Sequence, residues 1–190
     1  MKKTVFILSV LIIAFAACNN GNKKANEDKK LLSEPEQAFM SNLIGFCGQS
    51  FKGEQIYSKD GRDSWEDKEM TIHFTQCEED KVFIPFYVDD DKSRTWKFIS
   101  EDGKLRFRHD HRHEDGTPED RNLYGGYAEG SGTGLFQCFP ADNYTNKLLN
   151  DDFKRQWNVF FDDDLSKLTY ELFLDDELVF AAEFDMTNPI

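Results

Sequence analysis

Positive charge is scarce in this sequence. Its 190 residues hold 23 Lys and Arg against 36 Asp and Glu, a formal net charge of −13. A basic footprint is what nucleic-acid binding requires electrostatically, so that class of partner is excluded. The same acidity argues against a peripheral grip on anionic lipid. Long apolar runs are scarce too. Only Val5 to Ala17 is nearly continuous, and its 13 residues fall short of a bilayer span, which takes ~20. No Gly-x-Ser-x-Gly elbow is present, and no serine or cysteine has an identifiable base beside it, so covalent catalysis finds no signature. The aspartate runs lack the central Gly and terminal Glu of an EF-hand, and turn chemistry accounts for them. "GSGTG" (130–134) is followed by neither a helix nor a Lys, so it is no phosphate loop.

What is present begins with "MKKTVFILSVLIIAFAAC". Lys2 and Lys3, then the apolar run, then Ala16 and Ala17, have the layout of a bacterial secretory signal over residues 1–17. Phe15-Ala16-Ala17-Cys18 resembles the lipobox of bacterial lipoproteins. The resemblance implies cleavage before Cys18 and its acylation by chains such as palmitate. Several chains together anchor a protein stably in a bilayer, where one is marginal. The expected location is the bacterial envelope, lipid-anchored at the outer membrane, on its periplasmic or its outer side. "NNGNKKANEDKK" follows, polar throughout, and makes 18–32 a flexible tether. Residues 33–190 are enough for one domain.

With Cys18 acylated, Cys47, Cys77 and Cys138 remain, an odd number. A hairpin of strands near 51–57 and 69–76 puts Cys47 and Cys77 near the same end. That makes a Cys47–Cys77 disulfide the expected pairing and Cys138 a buried thiol, the alternative being three free core cysteines.

Ser33 to Cys47 reads as a helix. Ser33 and Glu36 have capping-box spacing, Pro35 suits the first turn, and Phe39, Leu43 and Phe46 share an apolar face. Nearly everything afterwards alternates with period two, interrupted by turns such as "KDGRD", "EDGK" and "LDDEL". "NKLLNDDFKRQ" suggests a second short helix before the last three strands. The fold expected is mainly β: about ten antiparallel strands in sequential hairpins with two short helices. This resembles the calycin-like up-and-down barrels, with a β-sandwich as the alternative. The lipocalin Gly-x-Trp signature is missing, and Pro85 inside a strand points to an edge or a bulge.

"RFRHDHRHEDG" (106–116) carries three of the four histidines at every second position. By parity Leu105, Phe107, His109, His111 and His113 share one face, and Arg106, Arg108, Asp110 and Arg112 share the other, the solvated one. The histidines therefore continue a buried apolar face towards one end of the barrel. Such a face suits the polar end of a ligand cavity, with Phe107 and Trp96 as apolar wall and a small molecule as partner. It also suits a transition metal, zinc or copper, because imidazole is a common ligand. Alternate residues stand ~6.6 Å apart, so His109 and His113 are ~13 Å apart and one ion cannot take all three. An adjacent His-x-His pair would need help from His73, an acid, Tyr124 or Tyr127. A histidine general base, a structural network, and an interaction lipoprotein without a ligand stay open beside these.

The block "SRTWKFISEDGKLRFRHDHRHEDGTPED", with "YGG" and "FPAD" after it, resembles a family of small secreted bacterial proteins marked by His-Asp-His-Arg-His-Glu-Asp-Gly. The likeness runs from about Phe51 to Thr187. It implies the domain boundaries and singles out the histidine strand, and it implies no activity.

Overall fold

Residues 30–62 and 64–190 are described by the computed structural model. Cys18, the leader and the tether as far as Lys29 lie outside them. Leu32 is already buried against the barrel, and its carbonyl accepts from Gln37 Nε2 at 2.6 Å. The packed domain thus begins before Ser33, because the polar run ends at Lys30 and Leu32 has apolar surface to bury.

Helix α1 (Glu34–Gly45) starts on the capping box of Ser33 and Glu36. The strands follow: β1 (Ser50–Ser58), β2 (Met70–His73), β3 (Gln76–Glu78), β4 (Lys81–Val88), β5 (Asp91–Glu101), β6 (Lys104–His111), β7 (Tyr124–Tyr127) and β8 (Phe136–Pro140). After helix α2 (Asn143–Leu149) come β9 (Arg155–Phe161), β10 (Lys167–Leu174) and β11 (Glu177–Asp185). Ten of them form one continuous antiparallel ladder, β7-β6-β5-β4-β2-β1-β11-β10-β9-β8, and β3 pairs with β4 beside it. Tight turns set the register. Asp102-Gly103 and Asp175-Asp176 both have positive φ at two successive residues, the geometry that suits a two-residue hairpin.

The sheet curls until its end strands β7 and β8 meet, so the architecture is a nearly closed barrel and not a sandwich. Glu129 N–H donates to the Cys138 carbonyl at 3.0 Å, and Asp142 N–H to the Gly125 carbonyl at 3.1 Å. The glycines of "YGG" permit this approach. A Cβ on Gly126 would lie 1.7 Å from the Pro140 carbonyl oxygen of β8, while one on Gly125 would lie 2.0 Å from that of Phe107 on the other neighbour, β6. Helix α2 covers the seam from outside. Its buried Thr145 accepts from Gly125 N–H and donates to Gly125 O, both at 2.7 Å.

Pro85 is on neither an edge nor a bulge. It pairs with Thr95 of β5, while on its other side the β2 ladder ends at Phe86 and the β3 ladder begins at Phe83. The residue without an N–H therefore faces the gap between two short strands.

The barrel interior is aromatic. At one end α1 lies in the opening: Phe39 packs on Phe98 and Phe161, and Phe46 on Phe51, Phe74 and Phe161. Glu36 Oε1 accepts from Leu105 N–H at 2.9 Å, which ties the helix to the start of β6. Cys47, just beyond the helix, is disulfide-bonded to Cys77 of β3, with their Cα atoms 6.0 Å apart. Cys138 is a free, buried thiol, and burial pushes its pKa up to about 11.

Candidate functional site

The opposite end of the barrel holds a cavity of about 450 Å³. The ends of β4, β6 and β10, the starts of β5, β7 and β11, and Gly61, Arg62 and Trp65 of the loop after β1 surround it. Trp96 forms its floor, sandwiched between Phe86 (centroids 5.0 Å apart) and Tyr170 (4.9 Å). Both faces of the indole are thereby occupied, and only its edge is open to a guest. Phe180 and Leu172 continue the apolar wall. From the loop, Trp65 drops onto Phe86 and Phe180, with centroids 5.9 and 5.3 Å away. Gln55 holds the loop there, accepting from Trp65 N–H at 2.7 Å.

His109 and His111 enter the cavity from β6, in line with Leu105 and Phe107. His109 is 5% exposed and stacks on Tyr124 at 4.6 Å. Its Nδ1 lies 3.3 Å from the Tyr124 carbonyl oxygen, which can only accept, so Nδ1 carries the proton. Nε2 is then the acceptor, and the Tyr170 hydroxyl donates to it at 3.1 Å. Burial first, and the nearby His111 second, depress the His109 pKa to about 3, so the ring stays neutral. His111 is half-buried. Its Nε2 meets the Tyr124 hydroxyl at 2.9 Å, and its Nδ1 lies 3.8 Å from Glu119. Burial lowers its pKa as well, with Arg94 as the next cause. Burial also raises the Tyr124 phenol to about 12. The inner wall is therefore polar and uncharged. Charge sits at the mouth, on Arg62 and on Arg94, whose guanidinium lies 5.2 Å over the Trp65 ring.

The other residues singled out by sequence take different places. His113 is exposed and outside the cavity. Strand β6 ends at His111, and beyond it the alternation no longer determines direction. Phe107 is fully buried and lies behind the wall, 4.6 Å from His109 and 6.4 Å from Trp96, as core and not lining. His73 is on the outer face of β2, bonded to Ser50 Oγ at 2.7 Å and near Thr71 Oγ1 at 3.2 Å. Tyr127 likewise faces outward, donating to Glu101. The four histidines are not gathered at one point. Among the described residues no group of three or more His, Cys, Asp or Glu is placed to hold a metal ion.

The outer face of β6 also departs from the alternation reading. Arg108 and Asp110 are buried, at 2% and 4% exposure. Helix α2 covers Arg108, which pairs with the α2 N-cap Asp142 and reaches Thr145. Asp110 is held by Lys97 on β5 and by Arg112 Nε at 3.1 Å. Period two assigns a face correctly and says nothing of what later covers that face. Of the cavity residues, Arg62, Trp65, Phe86, Arg94, Tyr170 and Phe180 went unassigned from sequence. Tyr170 and Leu172 share parity on β10, and Trp65 is the lone large aromatic in a polar loop; those were the available signals.

No family model matches the chain, and neither does any curated protein. Among solved structures it is similar to a redesigned β-barrel, mFAP1, bound to DFHBI, at 12% identity and a TM-score of 0.30. That likeness covers 76% of this chain and 98% of the other.

Proposed function

We propose that this protein binds a small organic molecule in the cavity at the histidine end of its barrel. The observation that carries this reading is the contrast between the filled α1 end and the void of about 450 Å³ opposite, within the usual size of small-molecule sites. Apolar walls with a few convergent polar groups are the make-up of such sites. His109 hydrogen-bonds to Tyr170 and to the Tyr124 carbonyl, and His111 to the Tyr124 hydroxyl, which orients the polar wall before any guest arrives. The Cys18 lipobox supports a barrel held at the bacterial outer membrane by its acyl chains. Replacing Cys18 by Ser abolishes incorporation of labelled palmitate on that reading.

The neutral dye N-phenyl-1-naphthylamine tests the cavity. One equivalent is expected to bind saturably and to quench the emission of Trp65 and Trp96. Leu172→Trp, which fills the void, is expected to abolish binding while the far-ultraviolet circular dichroism stays unchanged. Binding that is absent, or that survives Leu172→Trp, refutes the reading.

A further inference from the structure

Charge is distributed unevenly between this protein and its cavity. The chain has 36 acidic residues, yet none of the residues lining the void is Asp or Glu, and two are arginines. Among the uncharged groups inside, the tyrosine hydroxyls and the His109 N–H are already committed. The Tyr170 hydroxyl is spent on His109, which also uses its own Nδ1–H on a carbonyl. With His111 Nε2 as acceptor, the Tyr124 hydroxyl is spent there, and His111 Nδ1 faces Glu119. The guanidiniums are different. Each has five N–H donors in a planar fork, and Arg94 gives one to Asp91, at 2.7 Å.

We propose that the ligand is a small organic carboxylate whose head is held at the mouth by Arg94 and Arg62 while its apolar body lies among Trp65, Phe86 and Phe180. This rests on the cavity reading above and adds the ligand's chemical class. The guanidinium fork matches the two oxygens of a carboxylate, and stacking over Trp65 pre-orients that fork. Asp91 and Glu119 both lie outside the lining, and Asp91 holds the Arg94 guanidinium in place at 2.7 Å. Entry through an otherwise acidic exterior requires a focused positive mouth, which the two arginines supply.

The test compares 1-naphthylacetate with its neutral isostere 1-naphthylacetamide, by displacement of N-phenyl-1-naphthylamine. The carboxylate is expected to bind about 10-fold tighter or better, the scale of a charge-assisted pair at a half-exposed site. The Arg62→Gln/Arg94→Gln protein is expected to lose that preference and still bind the dye. Equal affinity for acid and amide, or a preference that survives the double substitution, overturns the carboxylate and leaves the cavity standing. Failure of the dye and of both naphthyl compounds overturns the cavity reading with it.

Discussion

The two ends of the barrel belong to one continuous sheet and both have aromatic interiors, yet one is filled and the other hollow. At the α1 end Phe39, Leu43 and Phe46 come from outside the sheet and fill the opening. At the histidine end Trp65, from a loop, is the comparable intrusion among the described residues, and the void beneath it remains. An inward aromatic face closes a barrel only where a second element supplies the missing volume. One end thus serves stability and the other is free to serve recognition.

Substitutions at the filled end break this contrast most directly. Phe39→Ala is expected to cost about 3–5 kcal/mol, the range for a buried Phe whose cavity cannot collapse. Urea unfolding measures it, and a loss under 1 kcal/mol means that α1 is no plug. Reduction of the Cys47–Cys77 bond, which spans 30 residues, is expected to cost roughly 2–4 kcal/mol by freeing the unfolded chain. Dye binding at the far end should persist after reduction under native conditions.

Acid sharpens the contrast from the other side. His109 titrates at about 3 in the fold against 6.5 in an unfolded chain. Its contribution is whole above pH 6.5 and falls as the pH drops towards 3, because the unfolded state binds the proton first. The slope is about 1.4 kcal/mol per pH unit for one such proton, and His111, also lowered, adds to its upper part. His109→Gln is expected to flatten the stability profile between pH 6 and 4. An unchanged slope means that the ring is protonated or solvated in the fold. The smallest effect on stability belongs to the mouth: Arg94→Gln, which breaks a partly exposed pair with Asp91, is expected to cost no more than about 1 kcal/mol, while weakening 1-naphthylacetate binding. A thermal shift of many degrees places Arg94 in the framework instead.

Much of the barrel was legible from its alternation. The strands of Met70 to Phe74, Val82 to Val88 and Leu168 to Leu174, the capping box at Ser33, and the turns at Asp102 and Asp175 were all readable locally. The site was legible in part. Parity put His109, His111 and Trp96 inward, but it extended too far at His113, where the strand had ended, and it took Phe107 for a wall when Phe107 is core. Arg94 and Trp65 reach the same mouth from β5 and from the loop after β1, and no local pattern relates them.

The sequence alone determined which side chains on each strand share a face, because a strand's period of two follows from backbone geometry. Only the tertiary structure decided which inward positions are packed and which border a void, and which outward charges are covered. Arg108 is buried because Gly126 lets β7 approach β8 and Thr145 of α2 bonds to Gly125 at the seam. The His109 ring is neutral because Tyr124, Tyr170 and Trp157 exclude water from it. Volume and solvation depend on every element that arrives at a point, and those elements are distant in the chain.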